Sequence, residues 1–85
     1  MENLEMAIET MNKGDYFQAI NILWEFIKNC QDQGAKEYLQ AQMYLVKAYH
    51  SAQQRDQAIA LCKKLAQSDN IQVQTWANQA LKRGF

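Results

Sequence analysis

Apolar residues recur every three or four positions through most of the chain, which is the spacing of one face of an α-helix. The clearest stretch runs from residue 15 to 30, with apolar positions at Tyr16, Ala19, Ile20, Leu23, Ile27 and Cys30. Gly14 is expected to end the preceding helix, predicted over residues 2–13. Asp15 opens the next helix, because Asp15 and Gln18 have the spacing of a capping box, in which the Asp oxygen accepts a backbone N–H.

The same periodicity returns in the second half of the chain. A polar run ending in glycine predicts a loop over residues 31–34, after which helical spacing resumes with a polar break at residues 53–56. A last helix is expected to start at Asp69, since Asp69 and Gln72 repeat the Asp-x-x-Gln start signal. No segment alternates with a period of two, so the predicted fold class is all-α, with two antiparallel hairpins and a fifth C-terminal helix.

The two predicted hairpins align with each other without gaps when Gly14 is placed beside Gln53. The alignment pairs Gly14, Tyr16, Ala19, Ile20 and Leu23 with Gln53, Arg55, Ala58, Ile59 and Cys62. Small residues at Ala19 and Ala58 suit a close crossing of two helices, with larger side chains filling the space beside them. The chain therefore contains an internal repeat of a helical hairpin. Paired positions are 39 residues apart, as Gly14 and Gln53 are, and we call this constant separation the repeat offset.

The residues of this repeat resemble those of the tetratricopeptide repeat (TPR) family. The resemblance is carried in the second copy by Leu45, Val46, Ala48, Tyr49, Ala58, Ile59, Cys62 and Leu65, and in the first by Gly14-Asp15-Tyr16 and Ala19-Ile20. The departures are Thr10 for the family's aromatic residue, Val46 for its small residue, Gln53 for its turn glycine and Asn70 for its terminal proline. The repeat offset also exceeds the family's usual period of about 34 residues, and the excess is assigned to the loop at 31–34.

A chain of 85 residues is expected to form a single domain, residues 1–85, because two units of half that length would normally need metals or disulfides. The resemblance implies that this domain is built as a right-handed superhelix. Its parts would be one repeat over about 3–30, a second over about 36–68, and a capping helix, HEAT-like in pattern, over about 70–83. Trp76 and Leu81 are expected to cover the last apolar face while the capping helix turns its glutamines to water.

The resemblance also implies binding of a peptide or helix along the concave face built by the first helix of each repeat. The residues it selects are Leu4, Ile8, Met11, Met43, Lys47 and His50. The alternative, that the apolar members are simply core in so small a domain, stays open. The family's carboxylate clamp for chaperone tails is not matched, because Leu4 and Ile8 occupy the first-repeat positions. Phe17 and Trp24 form a second candidate patch, an aromatic pair off the main apolar stripe.

Charge adds a rival hypothesis. Residues 1–25 carry five carboxylates against Lys13, a formal charge of −4, whereas residues 47–85 carry six cations against two carboxylates, or +4. Such an asymmetry favours head-to-tail contacts between copies, and hence a self-associating homo-oligomer. It does not match a nucleic-acid-binding surface, which needs a net basic patch.

Candidate chemistry is sparse. His50 has no Cys, Asp or Glu three or four residues further on, and Glu5 with Glu9 is interpreted as a solvated acidic face. Cys30 and Cys62 are expected to be buried thiols. We therefore predict no catalytic residues, no metal and no cofactor. The N-terminus shows neither a signal peptide nor a membrane span, so a cytoplasmic location is expected. The predicted function is a non-enzymatic adaptor or scaffold that binds another protein.

Overall fold

Five α-helices follow one another in a computed structural model that describes residues 4–31 and 36–83. They are α1 (Leu4–Asn12), α2 (Tyr16–Asn29), α3 (Lys36–Ser51), α4 (Arg55–Leu65) and α5 (Ile71–Arg83). The described ranges contain no β-strand, which confirms the all-α fold class. Residues 32–35 lie outside the described part, and so does most of the loop to which the extra residues of the repeat were assigned.

Each helix packs on the next one in the chain, and α1 also contacts α3. Helix α3 lies in the middle of this series, because it touches α1, α2 and α4. Its fully or nearly fully buried residues are Ala41, Leu45, Val46, Ala48 and Tyr49. Ala19 in α2 and Ala58 in α4 are both fully buried, as the need for small residues at the helix crossings predicts.

The first hairpin turns at a glycine with a left-handed backbone. Gly14 has φ +86°, a conformation that costs glycine little because it has no Cβ. The Gly14 N–H donates to the Met11 carbonyl at 2.9 Å, and the Asp15 N–H donates to the Thr10 carbonyl at 3.2 Å. These two bonds are those of a Schellman motif, which ends a helix by satisfying its last carbonyl groups.

The second hairpin makes the same turn without a glycine. Gln53 has φ +65°, its N–H donates to the His50 carbonyl at 3.0 Å, and the Gln54 N–H donates to the Tyr49 carbonyl at 2.8 Å. Each of these residues is separated from its counterpart in the first turn by the repeat offset. Helix α4 begins directly afterwards at Arg55, so the break predicted over residues 53–56 is shorter than expected.

The starts of α2 and α5 test the two capping signals. The Asp15 carboxylate accepts the Gln18 N–H at 3.4 Å, which confirms the N-cap of α2. At α5 the prediction of Asp69 is wrong, because the Asn70 side chain accepts the Val73 N–H at 3.1 Å. Asn and Asp are equally good N-cap residues. The adjacent Asn70 therefore competes with Asp69, and its own N–H is in turn bonded to the Ser68 hydroxyl at 3.1 Å.

The outer surface of α5 is polar. Its exposed residues include the glutamines expected to face water and the first of its two terminal cations: Gln72, Gln74, Gln79 and Lys82. Trp76 and Leu81 are half-buried and pack against the core, as predicted for a helix that covers the last apolar face. Ile71 is the exception on this surface, with 75% of its area exposed.

Candidate partner-binding face

The three residues predicted on α1 all lie at its partly open surface. Leu4, Ile8 and Met11 are half-buried, and their spacing of four and three residues places them on one side of the helix. Leu4 and Met11 also pack against the core. Packing in the core and exposure on a binding surface are therefore compatible for these two residues, since part of each side chain packs and another part stays accessible.

The three residues predicted on α3 share one side of that helix by the same spacing. Met43 is half-buried and packs against the core, whereas Lys47 and His50 are exposed. The Lys47 ammonium lies 5.1 Å from the centroid of the Tyr44 ring, within the range of a cation–π interaction. This contact holds the long lysine side chain near the surface of its own helix.

Two further residues of α3 belong to this surface and were missed from the sequence. Lys36 and Gln40 line a groove of about 350 Å³ together with Met43, and the opposite wall comes from the start of α5, at Asn70, Gln72 and Val73. Lys36 and Gln40 precede Met43 by seven and three residues. Continuing the same spacing towards the start of α3 would have found both.

We refer to these residues together as the α1–α3 face. It consists of Leu4, Ile8 and Met11 on α1, and of Lys36, Gln40, Met43, Lys47 and His50 on α3. The two helices are in contact. The repeat offset relates the originally predicted residues in pairs, Leu4 to Met43, Ile8 to Lys47 and Met11 to His50.

His50 also borders a second hollow, at the end of α3. This hollow has a volume of about 560 Å³ and is lined by Tyr16, His50, Ser51, Gln53 and Arg55. The lining brings together hydroxyl, amide and cationic groups, and none of these five described residues is a carboxylate.

The two residues of the second predicted patch, Phe17 and Trp24, are both exposed, but one of them also packs on α3. Phe17 and Trp24 are 61% and 46% exposed. The Trp24 indole N–H donates to the Tyr49 hydroxyl at 2.6 Å, so this side chain takes part in the packing of α2 on α3. Phe17 has the more open ring of the two. Neither residue belongs to the α1–α3 face.

The two cysteines differ in their surroundings. Cys62 is fully buried, its thiol donates to the Ala77 carbonyl at 3.3 Å, and burial raises the pKa of that thiol. Cys30 is half-buried at the C-cap of α2, so the prediction of a buried thiol is wrong there. A residue that ends a helix follows the chain out of the core, whatever its own hydrophobicity.

The described part of the chain brings no three His, Cys, Asp or Glu side chains together in a way that would hold a metal ion. Among the helices that the structure describes, none is long and apolar enough to cross a membrane.

Comparison with known proteins does not extend these observations. No family model, no curated protein and no solved structure matches the chain. The case for a function therefore rests on the repeat and on the α1–α3 face.

Proposed function

We propose that this chain is a non-enzymatic protein-interaction module with a TPR-like superhelix, which binds a peptide or helix of another protein on the α1–α3 face. Two features support the TPR-like arrangement. The hairpins share their turn geometry at the repeat offset, and each helix packs on its successor while α1 also reaches α3. A stack of hairpins requires both.

The repeat relation of the face residues carries the proposal. Because α1 and α3 are equivalent helices of two equivalent hairpins, residues related by the repeat offset point towards the same side of the stack. Leu4, Ile8 and Met11 thus continue the surface made by Met43, Lys47 and His50. Half-buried apolar side chains and adaptable methionines in such a row suit a groove for a partner's apolar residues.

The proposal is tested by replacing the apolar residues with a neutral polar one. Ile8→Gln and Met43→Gln each remove apolar surface without adding charge, and both should weaken a micromolar-scale complex several-fold while helicity is unchanged. Phe17→Gln is the matched control, since it removes an exposed apolar side chain from a different surface. Titration of fluorescent peptides, with circular dichroism of each variant, gives both readouts. Binding that survives both face variants but is lost in Phe17→Gln would move the site to α2.

A second candidate function, self-association, is favoured by one observation at the start of the stack. Met6 is 41% exposed, whereas Leu45, its counterpart in the second hairpin, is fully buried. In α3 this side of the helix is occupied by α2, as the bond from Trp24 to Tyr49 shows. The equivalent side of α1 therefore presents apolar surface beside the exposed carboxylates of Glu5 and Glu9.

A basic surface on another copy would complement that acidic one. Lys63, Lys64, Lys82 and Arg83 are all exposed at the other end of the series of helices. Sedimentation equilibrium at low and at high salt tests the idea, because a contact between unlike charges weakens as salt screens it. A chain that is monomeric at both salt concentrations rejects self-association.

A further inference from the structure

The two halves of the α1–α3 face differ in chemistry. Across the repeat offset, Ile8 on α1 corresponds to Lys47 on α3, and Met11 corresponds to His50. Packing of the hairpin does not demand a basic side chain at these positions, since the first hairpin has apolar residues there. With Lys36 at the start of α3, the second half of the face carries basic side chains from one end of the helix to the other.

Among the described residues, none of those that line the groove beside Lys36 and Met43 is a carboxylate. The single acidic residue of α3 is Glu37, which follows Lys36 directly and is turned about 100° from it around the helix axis. The wall that α5 contributes to the groove carries the neutral amides of Asn70 and Gln72. Asp69 lines a separate hollow, which Lys64 also lines.

We infer that the partner segment is acidic, with carboxylates placed on Lys36 and Lys47 and an apolar side chain between them on Met43. This inference rests on the proposed function and names the chemistry of its ligand. Lys47 is already held over the Tyr44 ring, so part of the entropy of ordering it is lost before binding. Met43 lies between the two lysines along α3, where its flexible thioether adapts to different apolar side chains.

The spacing of the two lysines sets the spacing of the carboxylates. Lys36 and Lys47 are eleven residues apart. At about 1.5 Å per residue they lie about 16 Å apart along the helix axis. An extended peptide advances about 3.3 Å per residue and turns alternate side chains to the same side, so two carboxylates that both face α3 should lie about four residues apart, within reach of the flexible lysine side chains. The expected motif is therefore an acidic residue, an apolar residue two positions later, and a second acidic residue about four positions after the first.

The test uses three fluorescent peptides that differ only in charge. Each has a leucine at its third position, midway between its first and fifth positions, and those two positions are both glutamate, both glutamine or both lysine. The acidic peptide should bind the full chain at least about tenfold more tightly than the basic one, and the difference should shrink between about 50 and about 500 mM salt.

Two charge-reversal variants locate the effect. Lys36→Glu with Lys47→Glu should remove or reverse the preference for the acidic peptide. Lys63→Glu with Lys64→Glu changes the net charge equally on exposed positions of α4, and should keep most of the preference. Equal losses in both pairs would mean that net charge alone attracts the peptide, which overturns the inference.

Different results would reject the acidic partner and the proposed function. If the neutral peptide binds, is weakened by Ile8→Gln, and yet binds as tightly as the acidic one, the groove stands and the acidic partner is rejected. If none of the three peptides binds at millimolar concentration, the inference is rejected for segments of this spacing. The proposed function falls separately if Ile8→Gln and Met43→Gln leave binding of every tested partner unchanged.

Discussion

The hairpins α1–α2 and α3–α4 have the same backbone geometry at their turns, but they differ in how well their residues suit that geometry. Both helices α1 and α3 end in a Schellman turn, with Gly14 at φ +86° in one and Gln53 at φ +65° in the other. Both following helices start directly after the turn, yet Asp15 caps α2 with its side chain and Gln54 makes no side-chain cap bond to α4. The hydrogen-bond pattern of the turn is thus more constant than the residues that favour it.

The cores of the two hairpins differ in volume at equivalent positions. Ala7 and Leu23 in the first hairpin correspond to Val46 and Cys62 in the second, and all four are fully buried. A larger residue on the first helix is thus accompanied by a smaller one on the second. The sum of volumes is roughly kept while its distribution changes, which is how close-packed interiors tolerate divergence.

The largest expected effect comes from truncating a buried side chain in the core of the first hairpin. Leu23→Ala should lower the free energy of unfolding by about 2–5 kcal/mol, because it removes buried methyl groups and leaves a cavity. Cys62→Ala, its counterpart, should cost about 1 kcal/mol, since a single sulfur is lost. Urea denaturation followed by circular dichroism measures both. Equal losses would show that the two positions are not equivalent in packing.

The turns should respond to substitution in opposite directions. Gly14→Ala should destabilise by about 1 kcal/mol and Gln53→Gly should stabilise by a similar amount, because a Cβ disfavours the left-handed backbone that both residues adopt. Apart from Gly14 and its two chain neighbours, no described residue has an atom within 4 Å of the position that a Cβ would occupy, so the cost there comes from the backbone conformation and not from a clash. Thermal melts of the two variants and of the double variant give the values, and a destabilising Gln53→Gly would contradict this account.

The helix starts should give a smaller pair of opposite effects. Asp15→Ala removes the acceptor of the Gln18 N–H and should cost about 0.5–1 kcal/mol. Gln54→Asp gives α4 the cap residue that α2 already has, and should add about as much stability. Asp15→Asn serves as the control, since it keeps the acceptor and removes the charge. The comparison fails if Gln54→Asp leaves the melting temperature unchanged.

Helical periodicity predicted the all-α fold class and its helices well, because each helix buries one face and the spacing of apolar residues records that face directly. The number of helices, the turn at Gly14 and the cap at Asp15 followed from local signals within four residues. The left-handed conformation of Gln53 did not, because glutamine has no intrinsic preference for it and only the surrounding hairpin imposes it. The cap of α5 was misplaced by one residue because Asp69 and Asn70 offer the same chemistry.

The α1–α3 face could be predicted only in part. Six of its residues followed from the resemblance to the TPR family, and Lys36 and Gln40 continue the same spacing on α3. The opposite wall, at Asn70, Gln72 and Val73, belongs to a groove between α3 and α5. That groove depends on where a fifth helix docks, and no local pattern encodes the docking. The bond between Trp24 and Tyr49 is of the same kind, since it joins residues 25 positions apart.

The smallest expected effect is a dependence of stability on pH that arises from Cys62 in the second hairpin. Burial raises the pKa of the Cys62 thiol, so as the pH rises above about 8.5 the unfolded chain loses this proton while the folded chain keeps it. Since the unfolded state then binds fewer protons, stability falls with rising pH. The decline should be smaller in Cys62→Ala than in the unsubstituted chain, with urea midpoints measured between about pH 7 and 10.

Access of a reagent to the same thiol gives a second test. In Cys30→Ala the remaining thiol, that of Cys62, should react with a disulfide reagent only when the chain unfolds. Fast reaction in the folded state would mean that the α4–α5 contact opens readily, and that the second hairpin is held less firmly by α5 than the buried Cys62 implies.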